Sequence, residues 1–483
     1  MLTFLDYSVI FLYLIGSIVF GLWMAGKQRD NSDYFFGERN LPWWAVSFSI
    51  VATETSSLTV ISVPAIAYGG SLTFLQIAFG YLIGRILVSA IFLPRYFAGE
   101  LTTAYELIGQ RFGERMRATT SVTFMITRLL ADGVRLFATA IPVKVVLAAS
   151  GIDVAYWQII VAISLVTIAY TLFGGIKAVI WMDVIQMFLY LLGAVLAIMV
   201  LLQGAPLDWF AQATAAGKTQ FIDFSSDWLT SPYMFITAVL GGAVLSMASH
   251  GTDYLIVQRL FTTKNLKESQ RALVMSGVVI IVQFALFLSV GLLLWVHYGG
   301  ATPAELGLSR ADEIYPKFLI EGLPAGISGL LLVAIFAAAM STVSSSLNSL
   351  SAASVMDLYK RFVPNTTPAS EFRMARITTL IWSGLFVVFA NLFQDTKQPI
   401  VELGLAIASY TYGGLLGVFL LGLLNKRAKQ TDAMISFFVA ILAMAIIIAQ
   451  FKIAWPWHTV IGSGICLVLG SLLSFRHSKQ PEV

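Results

Sequence analysis

Ile335-Phe-Ala-Ala-Ala-Met-Ser-Thr-Val-Ser-Ser-Ser-Leu-Asn-Ser349 is the stretch on which the reading of this chain turns. It lies in a membrane-length apolar segment, residues 322–362, that hydroxyls interrupt. Gly329 to Ala339 is as oily as any spanning helix, whereas Ser341, Thr342, Ser344, Ser345, Ser346 and Asn348 fall at about the depth of a bilayer. Hydrocarbon offers these oxygens no partner. At about 100° per residue Ser341, Ser344, Ser345 and Asn348 share one helical face, so their side chains can converge on one point beside the helix. A hard cation with oxygen ligands fits such a point. Serine and threonine in spanning helices also bond their own carbonyls at i−4 or act as small residues in tight packing. Five hydroxyls within six positions, after three alanines, ask for more than that.

Composition agrees with a membrane setting. The 483 residues are 58% hydrophobic and 12% charged, with mean hydropathy +0.82, which points to an all-α polytopic membrane protein. Windows of about twenty apolar residues predict about thirteen spans: 6–26, 42–68, 72–97, 119–149, 154–173, 179–203, 232–257, 272–296, 323–358, 374–393, 400–424, 433–451 and 459–475. Basic residues follow the odd-numbered spans: Lys27, Arg29 and Arg39; Arg111, Arg115 and Arg117; Lys264, Lys267 and Arg271; Lys360 and Arg361; Lys426, Arg427 and Lys429. Those exits are expected to be cytoplasmic, with the N-terminus outside and the C-terminus inside a cell membrane, the bacterial inner membrane by expectation. The net charge of +4 follows from that bias and gives no reason to expect nucleic acid. Gly26-Lys27-Gln28-Arg29 is no small-residue cleavage site, so the first span reads as an uncleaved anchor. The single cysteine, Cys466, excludes an internal disulfide, and four histidines leave little for a metal-dependent membrane enzyme. No enzyme activity and no organic cofactor are expected.

Further polar groups lie inside the spans. The second contains Val51-Ala-Thr-Glu-Thr-Ser-Ser-Leu-Thr59, where a carboxylate at bilayer depth is costly unless paired or hydrated. Glu54 is therefore a candidate functional residue, or else the partner of an arginine that holds helices together. Ser56, Ser57 and Thr59 can relieve a locally unwound backbone there, freeing the carbonyls of Ala52 and Thr55 for an ion. The third span carries Gln76. In the fourth, Arg128, Asp132 and Arg135 lie near one stripe, so that Arg128 and Asp132 can pair while Arg135 faces Glu54, a solute carboxylate or a cavity. Asp183 lies nearly two turns past Lys177, too deep for a simple surface charge. Thr252, Asp253 and Tyr254, at the end of the seventh span, suit a pocket or an inner gate. Spans eight, ten, twelve and thirteen read as scaffold.

Several passages resemble the sodium/solute symporter family: Asp33-Tyr-Phe-Phe-Gly-Glu-Arg39 before the second span, Tyr105-Glu-Leu-Ile-Gly-Gln-Arg-Phe-Gly113, Gly174-Gly-Ile-Lys-Ala-Val-Ile-Trp-Met-Asp-Val-Ile-Gln186, and Thr252-Asp-Tyr-Leu-Ile-Val-Gln-Arg259. The resemblance implies a LeuT-type 5+5 inverted-repeat core. Residues 42–203 would form the first repeat and 232–424 the second, with 6–26 and 433–475 peripheral, in a single transport domain. It implies a conserved sodium site of the carbonyls of Ala52, Thr55 and Ala338 with the hydroxyls of Ser341 and Thr342. Some members hold a second sodium, which would use Asp183, Ser341, Ser344 and Ser345. Sodium takes neutral oxygens readily, and these spans carry no carboxylate cluster of the kind calcium or magnesium favours.

The function implied is sodium-coupled import of a small polar organic solute by alternating access, by a chain working as a monomer in the lipid bilayer. Candidate solute-binding residues are Glu54, Ser56, Thr59, Gln76, Arg135, Thr252 and Asp253. Glu54 and Gly133-Val-Arg-Leu-Phe137 resemble the proline transporters, so an amino acid such as proline is the preferred solute; a sugar or a monocarboxylate, sialic acid included, is the alternative. Where sialic-acid transporters carry a carboxylate-binding arginine and a glutamine, this chain has Ala131 and Ala78, which disfavours sialic acid unless Arg128 or Arg135 substitutes. A transporter-like membrane sensor is the competing class.

Overall fold

A computed structural model describes residues 3–25, 31–99, 101–149, 151–321, 323–324, 326–392 and 400–477. Lys27 and Arg29, and most of the tail after Arg476, lie outside the described residues. The fold is all-α. Its principal helices, in chain order, are α1 (Phe4–Ala25), α2 (Trp43–Glu54), α3 (Ser57–Gly69), α4 (Leu75–Ile91), α5 (Glu114–Ala149), α6 (Tyr156–Gly204), α7 (Gly242–Gly251), α8 (Tyr254–Leu260), α9 (Leu266–His297), α10 (Ile327–Ala353), α11 (Pro368–Asn391), α12 (Ile400–Leu424), α13 (Gln430–Gln450) and α14 (Pro456–Ser474).

Eight helices among the described residues are long and apolar enough to cross a bilayer, and α2 with α3 forms a further span bent by 67°. α6 is 49 residues long, about 74 Å at the helical rise, more than twice the hydrocarbon thickness. It divides at Gly175, whose φ of 56° and ψ of −163° no side-chain-bearing residue adopts readily. The expected boundary between the fifth and sixth spans falls there. The expected fourth and seventh spans do not pass as uniformly apolar helices. α5 carries Arg128, Asp132 and Arg135, and the seventh is split between α7 and α8 at Thr252–Asp253.

The hydroxyl-rich helix α10 is the axis of the bundle. From Leu331 to Ala353 only Phe336 escapes full burial, because α1, α2, α5, α6, α8 and α11 all pack on it. Small residues make this close packing possible: Gly193 of α6 approaches Ala334, and Gly329 lies against the backbone of Asp6. Asp6 of α1 accepts hydrogen bonds from the amides of Gly326 (2.9 Å) and Gly329 (2.7 Å), satisfying donors that the start of α10 would otherwise leave unpaired.

Candidate functional site

The geometry starts from two helix breaks. α2 stops at Glu54, and Thr55 (φ −80°, ψ 96°) and Ser56 (φ −91°, ψ 172°) are extended before α3 begins. Thr55 back-bonds to α2: its amide (2.9 Å) and its hydroxyl (2.7 Å) both donate to the Val51 carbonyl. The second break, between α7 and α8, is built alike. The amide (3.0 Å) and hydroxyl (2.8 Å) of Thr252 donate to the Ala248 carbonyl, and Asp253 caps α8 by accepting from the Leu255 amide at 2.9 Å.

Ala52, Thr55, Ala338, Ser341 and Thr342 are all buried, on α2, its break and α10. The two elements meet where the hydroxyls of Thr53 and Ser345 lie 3.3 Å apart. Thr342 donates to the Ala338 carbonyl at 3.2 Å, so two of the five expected ligands already adjoin. Of the five hydroxyls from Ser341 to Ser346, Thr342 and Ser344 bond within their own helix. Ser341 reaches Asp183, Ser345 reaches Arg259 and Ser346 reaches Asp132.

The residues of the expected second sodium set form one buried network with an arginine in it. Asp183, fully buried, accepts from Ser341 at 2.6 Å, from Ser49 at 2.6 Å and from Arg259 at 3.1 Å. Arg259 also donates to Ser49 (2.8 Å) and the Leu255 carbonyl (2.7 Å) and reaches Ser345. The positive charge facing Asp183 is therefore already a guanidinium. Ser344 donates to the Ser341 carbonyl at 3.1 Å. In the sequence Arg259 stands only as part of a motif; its partner lies 76 residues away, a pairing no local pattern displays.

Beside the first break lies a cavity of about 170 Å³, room for a solute rather than a lone water. Glu54, Ser56, Thr59 and Arg135 line it, together with Tyr81, Arg128, Ser249, Tyr412, Phe74, Phe284 and Trp455. Gln76, Thr252 and Asp253 are not on its wall. Gln76 clasps backbone, donating to the carbonyls of Thr73 (3.1 Å) and Tyr233 (2.7 Å) and accepting from the Asp223 amide (3.2 Å). Thr252 spends its hydroxyl within α7. Asp253 lies behind the wall, 2.5 Å from Arg128 and accepting from Tyr412 at 2.6 Å.

Two charges on the wall are exposed to a similar degree and differ in their partners. Glu54 is held by Arg85 at 2.5 Å and also by His250, so the reading in which it pairs with an arginine describes it. Arg135 is 24% exposed, and its partner Asp132, at 3.4 Å, is itself shared with Arg128 at 3.5 Å and bonded by Ser346. Ala131 and Ala78 are buried. The case against sialic acid rests on those two alanines unless Arg128 or Arg135 substitutes, and both arginines line the cavity, Arg128 with its charge turned to Asp253 and Arg135 part-exposed.

A model of the sodium:solute symporter family matches residues 34–440. The chain is 29% identical over 481 residues to the sodium/sialic acid symporter NanT of Aliivibrio fischeri, covering 97% of this chain and 92% of that protein. It is 29% identical over 460 residues to the human sodium/iodide cotransporter, covering 93% and 70%. A solved Na+-coupled sialic acid symporter, substrate-bound and outward-open, superposes with a TM-score of 0.89 at 28% identity, covering 99% of this chain and 98% of that one. That similarity carries the LeuT-type fold, and all three relatives are transporters rather than enzymes. This multi-pass membrane chain belongs to the sodium:solute symporter family, with sodium as its coupling ion.

Proposed function

We propose that this protein imports a small organic anion together with sodium, a carboxylate such as a sialic acid or a monocarboxylate rather than an amino acid. The observation that carries this reading is the contrast between Arg135 and Glu54 on one cavity wall. Arg135 offers a part-exposed guanidinium that a carboxylate can engage bidentately. Glu54 has one oxygen on the Arg85 guanidinium and the other beside the His250 ring, and is poorly placed to bind a solute's ammonium group. Ser56, Thr59 and Ser249 supply neutral donors and acceptors for the solute's hydroxyls. The named cargoes of the two sequence relatives, sialic acid and iodide, are both anions.

The coupling ion is assigned to Ala52, Thr55, Ala338, Ser341 and Thr342. A second ion at Asp183 would have to compete with Arg259. The first site joins α2 to α10, so an ion bound there favours the conformation in which they are close, and that preference couples the gradient to solute movement. The matching construction of the two breaks supports residues 42–203 and 232–424 as the two repeats, each led by an interrupted helix. The N-terminus is taken to face outward.

The test is uptake into proteoliposomes of labelled sialic acid, lactate, glucose and proline, with an inward gradient of sodium or of potassium. A carboxylate should accumulate only with sodium, and Arg135→Gln should raise its half-saturating concentration at least tenfold. Accumulation of proline in preference to both acids, unaffected by Arg135→Gln, would overturn the proposal.

A further inference from the structure

α9 reads from its sequence as scaffold, yet it places Gln283, fully buried, against the first break. Gln283 Nε2 donates to the Thr55 hydroxyl at 2.6 Å. That hydroxyl spends its single proton on the Val51 carbonyl, so it can only accept from Gln283, which fixes the orientation of the amide. Gln283 Oε1 is then turned away and is buried without a partner. The hydroxyl of Tyr190, from α6, is buried beside the same threonine. Apolar side chains would occupy such positions at no polar cost, so the amide at 283 needs a reason to be there.

The reason lies in what Thr55 does. Its extended conformation carries the carbonyls at the end of α2 out of the helical ladder, and a carbonyl can serve a sodium ion only if it is aimed and held. A lone hydroxyl bonded to i−4 can rotate away; one that also accepts from a buried amide on a separate helix cannot do so without losing both bonds. We propose that Gln283 is a positioning residue of the sodium site, acting through the Thr55 hydroxyl to hold the break in its ion-binding shape. The inference rests on the assignment of the coupling ion to the Ala52–Thr342 set and does not depend on the solute.

The experiment follows thermal unfolding of the purified full-length protein with rising NaCl at constant ionic strength in KCl, with no solute present, so that ion binding alone raises the transition temperature. Gln283→Leu should shift the sodium titration to at least fivefold higher concentration while leaving the transition in KCl close to that of the unaltered protein. Thr55→Val should do the same, the double variant should be no worse than either single one, and Thr55→Ser, which keeps the hydroxyl, should restore the original midpoint. Should Gln283→Leu fail to fold, Thr55→Val and Thr55→Ser carry the test. Ser341→Ala is the control that separates the two readings. If it shifts the titration and Gln283→Leu does not, or if the Thr55 and Gln283 effects multiply, the positioning role is wrong. If Ser341→Ala also leaves the titration unmoved, the site assignment itself has failed.

Discussion

The two interrupted helices make an instructive pair. Both begin their break with a threonine whose amide and hydroxyl fold back on the carbonyl four residues earlier, Thr55 on Val51 and Thr252 on Ala248. They part at the next residue. Ser56 gives α3 no side-chain cap, whereas Asp253 caps α8 and is tied to Arg128 and Tyr412. The second break thus has a side chain on the amides of the helix that follows and a tie to its neighbours, and the first has no side-chain cap on the amides that begin α3. One sequence position, serine against aspartate, separates an uncapped break from a capped one.

The largest effect that can break this contrast comes from Asp253→Ala. It leaves Arg128 only the more distant carboxylate of Asp132, 3.5 Å away, and removes a cap, at most about 3–5 kcal/mol for the pair and about 1 kcal/mol for the cap. Asp253→Asn keeps the cap and should recover only the smaller part, as read by thermal unfolding in sodium-free buffer. An intermediate effect is expected at the first break's partner helix. Ser341→Ala or Thr342→Ala should raise the sodium concentration for half-maximal uptake roughly tenfold, the equivalent of about 1.4 kcal/mol from one lost oxygen ligand. The smallest is Ser56→Ala, expected to stay within about 0.5 kcal/mol of the unaltered protein in the same unfolding measurement, since its side chain holds no cap. A loss at Ser56 as large as that at Asp253 would erase the distinction.

What the sequence discloses here follows how local each signal is. The hydroxyl run of α10, the polar patch ending α2 and the glycine pair at 174–175 are contiguous, and each marks a feature that the structure realises as a buried axis, a break and a turn. Partners are another matter. Arg85 lies 31 residues from Glu54 and Arg259 76 from Asp183, and only the folding of separate helices against one another makes these pairs. Composition also misleads where a lone polar residue sits in an oily helix. Gln283 lies in a span that reads as scaffold, and Trp455, from the turn before α14, reaches the cavity from a region expected to be peripheral. The preference for an amino acid rests on the same kind of signal, because an acid in a membrane helix looks available until its partners, here Arg85 and His250, are seen.

The carboxylate at the head of the first helix has a mechanical meaning. Because Asp6 grips the amides of Gly326 and Gly329, the helix outside the transport core is stapled to the rod that bears Ser341 and Thr342. A probe attached near residue 4 would ride with that rod, giving a handle at the periphery of the molecule on displacements at its centre.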